Sequence, residues 1–69
     1  MRSGQVKFFL HDKGFGFVKP DDNGPDIFLH ATAVRNSGLQ PDNLTKGMKV
    51  RYEAAPGKKG EQAIRIEPA

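Results

Sequence analysis

Lys13-Gly14-Phe15-Gly16-Phe17-Val18 decides the fold, together with its echo further along, Asp26-Ile27-Phe28-Leu29-His30. Read as strands with a period of two, Phe15 and Phe17 fall on one face with Gly16 and Val18 on the other, while Phe28 and His30 oppose Ile27 and Leu29. Five phenylalanines in a chain of 69 residues would ordinarily be core. Here Val18, Ile27 and Leu29 suffice for a small core and leave the rings to a solvated face. Gly14 and Gly16 lack the Cβ that would crowd those rings, and glycine inside a strand often marks a bulge or the close approach of a ligand. Lys7, Lys13 and Lys19 crowd the same strands. Rings and an imidazole on an open sheet face suit the stacking of unpaired bases, and interleaved lysines suit a phosphate backbone.

Working outward, Gly4 to Leu10 reads as a first strand, ended by the polar turn His11-Asp12-Lys13-Gly14. Phe8 and Phe9 are adjacent, so one faces the core and the other solvent unless a bulge turns both outward; Phe8 is expected to be the exposed one. Phe15 to Lys19 is a second strand stopped by Pro20, and the turn formers Asp21 to Pro25 lead into a third, Asp26 to His30. Short polar turns between the three predict an antiparallel meander. Ala31-Thr32-Ala33-Val34 is expected to make a brief helical turn, and Arg35 to Lys46, with Gly38 and Pro41, a long surface loop. Met48 to Ala55 alternates again, with Val50 and Tyr52 on one side and Lys49, Arg51 and Glu53 on the other. After the basic hairpin Pro56 to Gly60, Gln62 to Glu67 is a fifth strand with Ile64 and Ile66 expected to point inward. Five short strands with a long connection after the third predict an all-β, five-stranded antiparallel barrel of the OB type, since closure removes edges that so small a sheet cannot cover.

Composition narrows the function. The length fits a single domain over residues 1–69, near the lower size for one unstapled core. Absence of cysteine excludes a disulfide framework and a thiolate metal site. The start of the chain has no apolar run after Arg2, and no segment approaches a membrane span, so a cytoplasmic protein without membrane contact is expected. A formal net charge of +3 is compatible with an anionic partner. Catalysis would need a nucleophile with its base, paired carboxylates or a metal cluster, whereas the chain has two histidines and acids concentrated in turns. His11 reads as a solvated turn residue and Asp21-Asp22 as a solvated turn, and Lys13-Gly14-Phe15-Gly16 lacks the Gly-Lys-Ser/Thr ending of a phosphate-binding loop. No enzyme, cofactor, metal or small-molecule substrate is therefore expected. A protein-interaction module of SH3-like shape, holding a proline-rich peptide on the same rings, is the competing reading; the lysines beside the rings weigh against it. The mild charge and the lack of an exposed helical stripe suggest a monomer.

Gly4-Gln5-Val6-Lys7-Phe8-Phe9, Asp12-Lys13-Gly14-Phe15-Gly16-Phe17-Val18 and Asp26-Ile27-Phe28-Leu29-His30 together resemble the first three strands of the bacterial cold-shock domain, including its two ribonucleoprotein-like motifs. Gly47 to Tyr52 and Gly57 to Gln62 are similar to that family's last two strands and their loop. The resemblance implies an OB-type barrel that binds single-stranded RNA and DNA and serves as an RNA chaperone, transcription antiterminator or translation modulator. By position it implies Phe15, Phe17 and Phe28 as stacking rings and His30 as a stacking or hydrogen-bonding group. It puts Lys7 and Lys13 on the backbone path, Lys59 where the family often has a basic residue in the last hairpin loop among the nucleic-acid-binding positions, Phe8 where the family usually has Trp, and Asp26 as an acceptor for a base edge. Ala31 stands where an aromatic usually follows the His, Leu39 lies near another usual aromatic, and the loop Gln40 to Lys46 is slightly longer than usual. Two missing rings, at roughly 1 to 3 kcal/mol of stacking each, imply weaker binding or a shorter site than the full aromatic set would give.

Overall fold

Lys7 is the extra residue that shapes the first strand. In the computed structural model, which describes residues 1–58 and 60–69, β1 (Arg2–Leu10) pairs with β2 (Phe15–Pro20) in a register that runs Val6 opposite Val18 and then Phe8 opposite Phe17. Val6 and Phe8 would share a face in a regular strand. The bulge at Lys7 reverses the alternation, so Val6 is buried, Phe8 joins Phe17 on the outer face, and Phe9 turns back to pack against the core. Phe8 is thus the outward member of the pair, half-buried among its neighbours rather than fully exposed.

The turn between β1 and β2 closes with the Lys13 and Gly14 amides both donating to the Leu10 carbonyl, Gly14 having a positive φ of 76°. Gly16 faces inward, where a Cβ would meet the Phe8 carbonyl oxygen and lie 2.7 Å from the Phe9 Cα. These glycines therefore serve a left-handed turn and a close approach of β1 to β2, not the clearance of the rings that the sequence suggested.

β2 pairs antiparallel with β3 (Ile27–His30), placing Phe17 opposite Phe28 and Phe15 opposite His30. The chain then forms α1 (Ala31–Asn36) and a short 3-10 turn at Pro41–Asn43 before β4 (Lys49–Gly57) and β5 (Gly60–Pro68). The strands close into a barrel in the order β1-β2-β3-β5-β4, with β4 returning to the first half of β1. All pairings are antiparallel except the contact of β3 with β5, where Phe28 lies opposite Gln62 in the parallel sense.

The core is made by inward-facing residues of every strand, Val6, Val18, Ile27, Leu29, Val50, Tyr52, Ala63 and Ile66, plugged at one end by Val34 of α1. The connection from Arg35 to Lys46 is more than a surface loop: Leu44 is buried in the core and Leu39 packs against it. Ser37, at the end of α1, donates its hydroxyl to the Ala33 carbonyl and accepts the Ile66 amide, tying the helix to β5.

Ile64 does not point inward as its alternation with Ile66 suggested. The β4–β5 register passes from Glu53 opposite Arg65 to Ala54 opposite Ala63, which leaves Ile64 as a bulged residue, 46% exposed, while Ala63 takes the inward place. Among the described residues no helix is long and apolar enough to cross a membrane.

Candidate nucleic-acid interface

Three strands supply one continuous aromatic patch. From β1, Phe8 meets Phe17 edge-on at 5.4 Å between ring centroids. From β2, Phe17 touches Phe28 at 5.7 Å and Phe15 at 6.3 Å, again edge-on. Phe15 and Phe28 lie nearly parallel, 28° apart at 5.6 Å, and Phe28 continues to His30 at 6.4 Å. Phe8, Phe15, Phe17 and Phe28 are half-buried and His30 is exposed. Each ring leans on a neighbour and keeps surface open to solvent, an arrangement that costs little ordering entropy when a flat ligand lands on it. Five side chains named from the sequence, Phe8, Phe15, Phe17, Phe28 and His30, are thus brought together.

His30 is held by the helix it precedes. As N-cap of α1 its Nδ1 accepts the Thr32 amide at 3.1 Å and lies 3.0 Å from the Thr32 hydroxyl. With Nδ1 acting as acceptor toward that amide, the ring proton is on Nε2, so the edge left over is a donor.

The charged residues distribute less simply. Lys7 Nζ pairs with Asp26 Oδ2 at 2.7 Å at the edge of the patch, so the residue expected to line a backbone path and the residue expected to read a base edge are bound to each other. Lys13 is exposed in the β1–β2 turn, and Lys19 is exposed on the outer side of β2 opposite Gln5. Lys59 lies outside the described residues. Ala31 is buried and donates its amide to the Gly14 carbonyl, and Leu39 packs inward, so neither contributes to the patch. His11 has a partner that the sequence did not suggest: its Nδ1 is 3.3 Å from Asp42 and its ring is 5.3 Å from Phe9. Both groups of that contact are well exposed, which keeps its energetic weight small.

Closure of the barrel adds residues that sequence reading passed over. Phe28 forms one wall of a cleft of about 380 Å³ whose other sides include Pro56, Lys58 and Gln62. Lys58 belongs to the basic hairpin visible in the sequence, but its place beside Phe28 depends on the parallel contact of β3 with β5. Among the described residues no three of His, Cys, Asp or Glu are gathered where they could hold a metal ion. An open aromatic field with cations at its borders is suited to stacking and charge neutralisation.

Comparison with known proteins agrees with this geometry. The family model described as the 'Cold-shock' DNA-binding domain matches residues 2–69. Cold shock protein ScoF of Streptomyces coelicolor is 42% identical over 69 residues, covering 100% of both chains. Cold shock protein 2 of Lactiplantibacillus plantarum is 41% identical over 68 residues, 99% of this chain and 98% of its own. Cold shock-like protein CspC of Escherichia coli K12 is 40% identical over 63 residues, 91% of this chain and 88% of its own. With a closed five-stranded barrel and a match along almost its whole length, the chain belongs to the cold-shock domain family of nucleic-acid-binding proteins.

Proposed function

We propose that the patch formed by Phe8, Phe17, Phe15, Phe28 and His30 binds single-stranded RNA and DNA by base stacking, with Lys7, Lys13, Lys58 and Lys59 meeting the phosphates. The observation that carries this reading is the unbroken succession of rings, 5.4 to 6.4 Å apart, on the solvated face of three adjacent strands. Stacking on such a field is tolerant of sequence because every base has a π face. Binding unpaired bases more tightly than paired ones pulls weak hairpins toward their open form by mass action, which is the activity of an RNA chaperone, and open transcripts are also what antitermination and translation control require. The nitrogen edge of His30 adds one donor for a base acceptor, and Asp26 joins the reading once Lys7 turns to a phosphate.

A fluorescence-anisotropy titration of labelled oligo-dT and oligo-U, with a duplex of matched length, tests the proposal at two salt concentrations. Two to four lysine contacts give a slope of log K against log salt of roughly −1.5 to −3. A fluorophore–quencher RNA hairpin opened by the protein extends the test to chaperone activity. Equal affinity for duplex and single strand would sink the stacking reading, and a salt-insensitive preference for proline-rich peptide would replace it with a peptide groove.

A further inference from the structure

The outward row that follows Phe8 and Phe17 carries charge in place of rings. On the far side of the bulge at Lys7, Gln5 of β1 stands opposite Lys19 of β2 in one ladder and opposite Lys49 of β4 in the other, and all three are exposed. Strands about 4.8 Å apart put the two lysine backbones roughly 10 Å from each other, with the neutral Gln5 between them. Lys46 is close by, exposed in the turn whose Gly47 amide donates to the Val6 carbonyl. The row therefore adjoins the ring patch along β1 and β2 and leads away from it toward β4.

Other cations nearby are neutralised, and these are not. Arg51, one row further along β4 and opposite Ser3, is paired with Glu67 at 2.8 Å, and Lys7 is held by Asp26. Lys19, Lys46 and Lys49 have no ion-pair partner among the described residues. Cations gathered without counter-charges repel one another and concentrate anions at the surface. A polar cleft of about 180 Å³ opens beside Lys19, lined also by Gln5, Pro20, Asp21 and Asn23. Its one acid belongs to the Asp21-Asp22 turn at the end of β2, which repels a polyanion there and leaves the way toward β4 open. Lys19, Gln5 and Lys49 include no aromatic ring, so the row is built to meet charge and not a base.

We infer that Lys19, Lys46 and Lys49 form a phosphate track for the segment of single strand that has left the rings past Phe8 and Phe17, its bases turned to solvent. The track rests on the stacking reading of the patch and continues it onto a surface that reads no sequence. It favours a long strand over a short oligomer whatever the bases are. It also lies at one edge of the patch, so a single end of the bound strand reaches it.

The test separates phosphate from base. An oligo-dT core of about six nucleotides, within the site sizes of single OB folds, is compared with the same core carrying about three abasic deoxyribose phosphates at its 5′ or its 3′ end, or an uncharged polyether of equal length. The abasic tail is expected to tighten binding at one end, and the polyether at neither. Two phosphates neutralised by the track steepen the salt slope by about 1.4, so the advantage of tailed over bare core should shrink about 7-fold between about 50 and 200 mM salt. Lys49→Gln should reduce that advantage and Lys19→Gln with Lys49→Gln abolish it. Arg35→Gln removes a cation from α1, which packs on β3 and β5, and should keep it. An equal loss in Arg35→Gln and Lys49→Gln would reveal diffuse charge and overturn the track. If abasic tails help at neither end while Phe17→Ala weakens binding of the core, the track is refuted and the ring reading stands. If Phe17→Ala binds the core as wild type does, the ring reading fails and the track with it.

Discussion

Phe17 occupies the middle of the patch, and its removal separates stacking from packing. Its ring touches Phe8 at 5.4 Å, Phe28 at 5.7 Å and Phe15 at 6.3 Å. Phe17→Ala removes one stacking face, worth roughly 1 to 3 kcal/mol, or about 5- to 150-fold in affinity for oligo-dT. It also removes three ring contacts. At about 0.5 kcal/mol each, the low end appropriate to a half-exposed site, these come to roughly 1.5 kcal/mol of stability. For so small a domain that is a fall in Tm of about 6 to 12 °C. Phe17→Leu keeps most of the apolar bulk without the π face, so it should recover most of the stability and little of the affinity. Phe9→Leu, altered on the core side of the same sheet, should leave affinity within about 2-fold, since Phe9 offers no base a surface. Anisotropy titrations beside thermal unfolding read both quantities. Wild-type affinity in Phe17→Leu would refute the reasoning, because the ring would then matter only as a filler.

Other expectations follow from single positions. Gly16→Ala puts a methyl group against the β1 backbone, onto the Phe8 carbonyl and within 2.7 Å of the Phe9 Cα, so it should cost about 1 to 3 kcal/mol and lower Tm by roughly 5 to 20 °C; an unchanged melting curve would contradict that close approach. Tyr52 is fully buried and its hydroxyl has no hydrogen-bond partner among the described residues, so Tyr52→Phe should be neutral or stabilising by about 1 kcal/mol in urea unfolding. Burial raises the Tyr52 pKa above its ordinary value of 10.0. The folded state therefore holds that proton more tightly than the unfolded chain, and the associated stability is complete below pH 10 and lost as pH rises through the folded value. Tyr52→Phe should be spared this alkaline loss, and parallel loss in both proteins would contradict the assignment. Asp26→Asn releases Lys7 from its 2.7 Å ion pair, which should steepen the salt slope for single strands by about 0.7 and tighten binding at low salt; weaker binding with an unchanged slope would instead put Asp26 on a base edge.

The strands and the aromatic face were legible because they rest on local alternation. Phe15, Phe17, Phe28 and His30 keep their period of two, and glycine and proline mark the turns between them. That Phe8 and Phe9 diverge also followed, since adjacent residues in a strand face opposite ways, but which of them is the outward ring is decided by the bulge at Lys7, which leaves no mark in the residue types. The same blindness reversed Ile64: one extra residue in β5 exchanges its place with Ala63, and an apolar alternation reads the same with or without the slip. Leu39 and Leu44 were hidden because single leucines in a polar stretch have no periodicity, although α1 and the turn after it need them to plug the barrel. The Lys7–Asp26 pair, the His30 cap and the position of Lys58 and Gln62 beside Phe28 depend on contacts between distant parts of the chain, or on histidine in a role more often taken by Ser, Thr, Asp or Asn.

Among the described residues a single parallel bridge joins β3 to β5, with the Ser37 hydroxyl holding the Ile66 amide from the α1 side, and by that measure the junction is the thinnest weld in the cylinder. Its neighbours are laced by longer ladders, so breathing of the barrel should begin there, with β3 parting from β5 while the hairpins on each side stay intact. Phe28 stands on one lip of this joint and Gln62 on the other. A polymer laid across both lips is a clasp: it holds shut the part of the cylinder most ready to open, and the energy of recognition becomes rigidity of the recogniser.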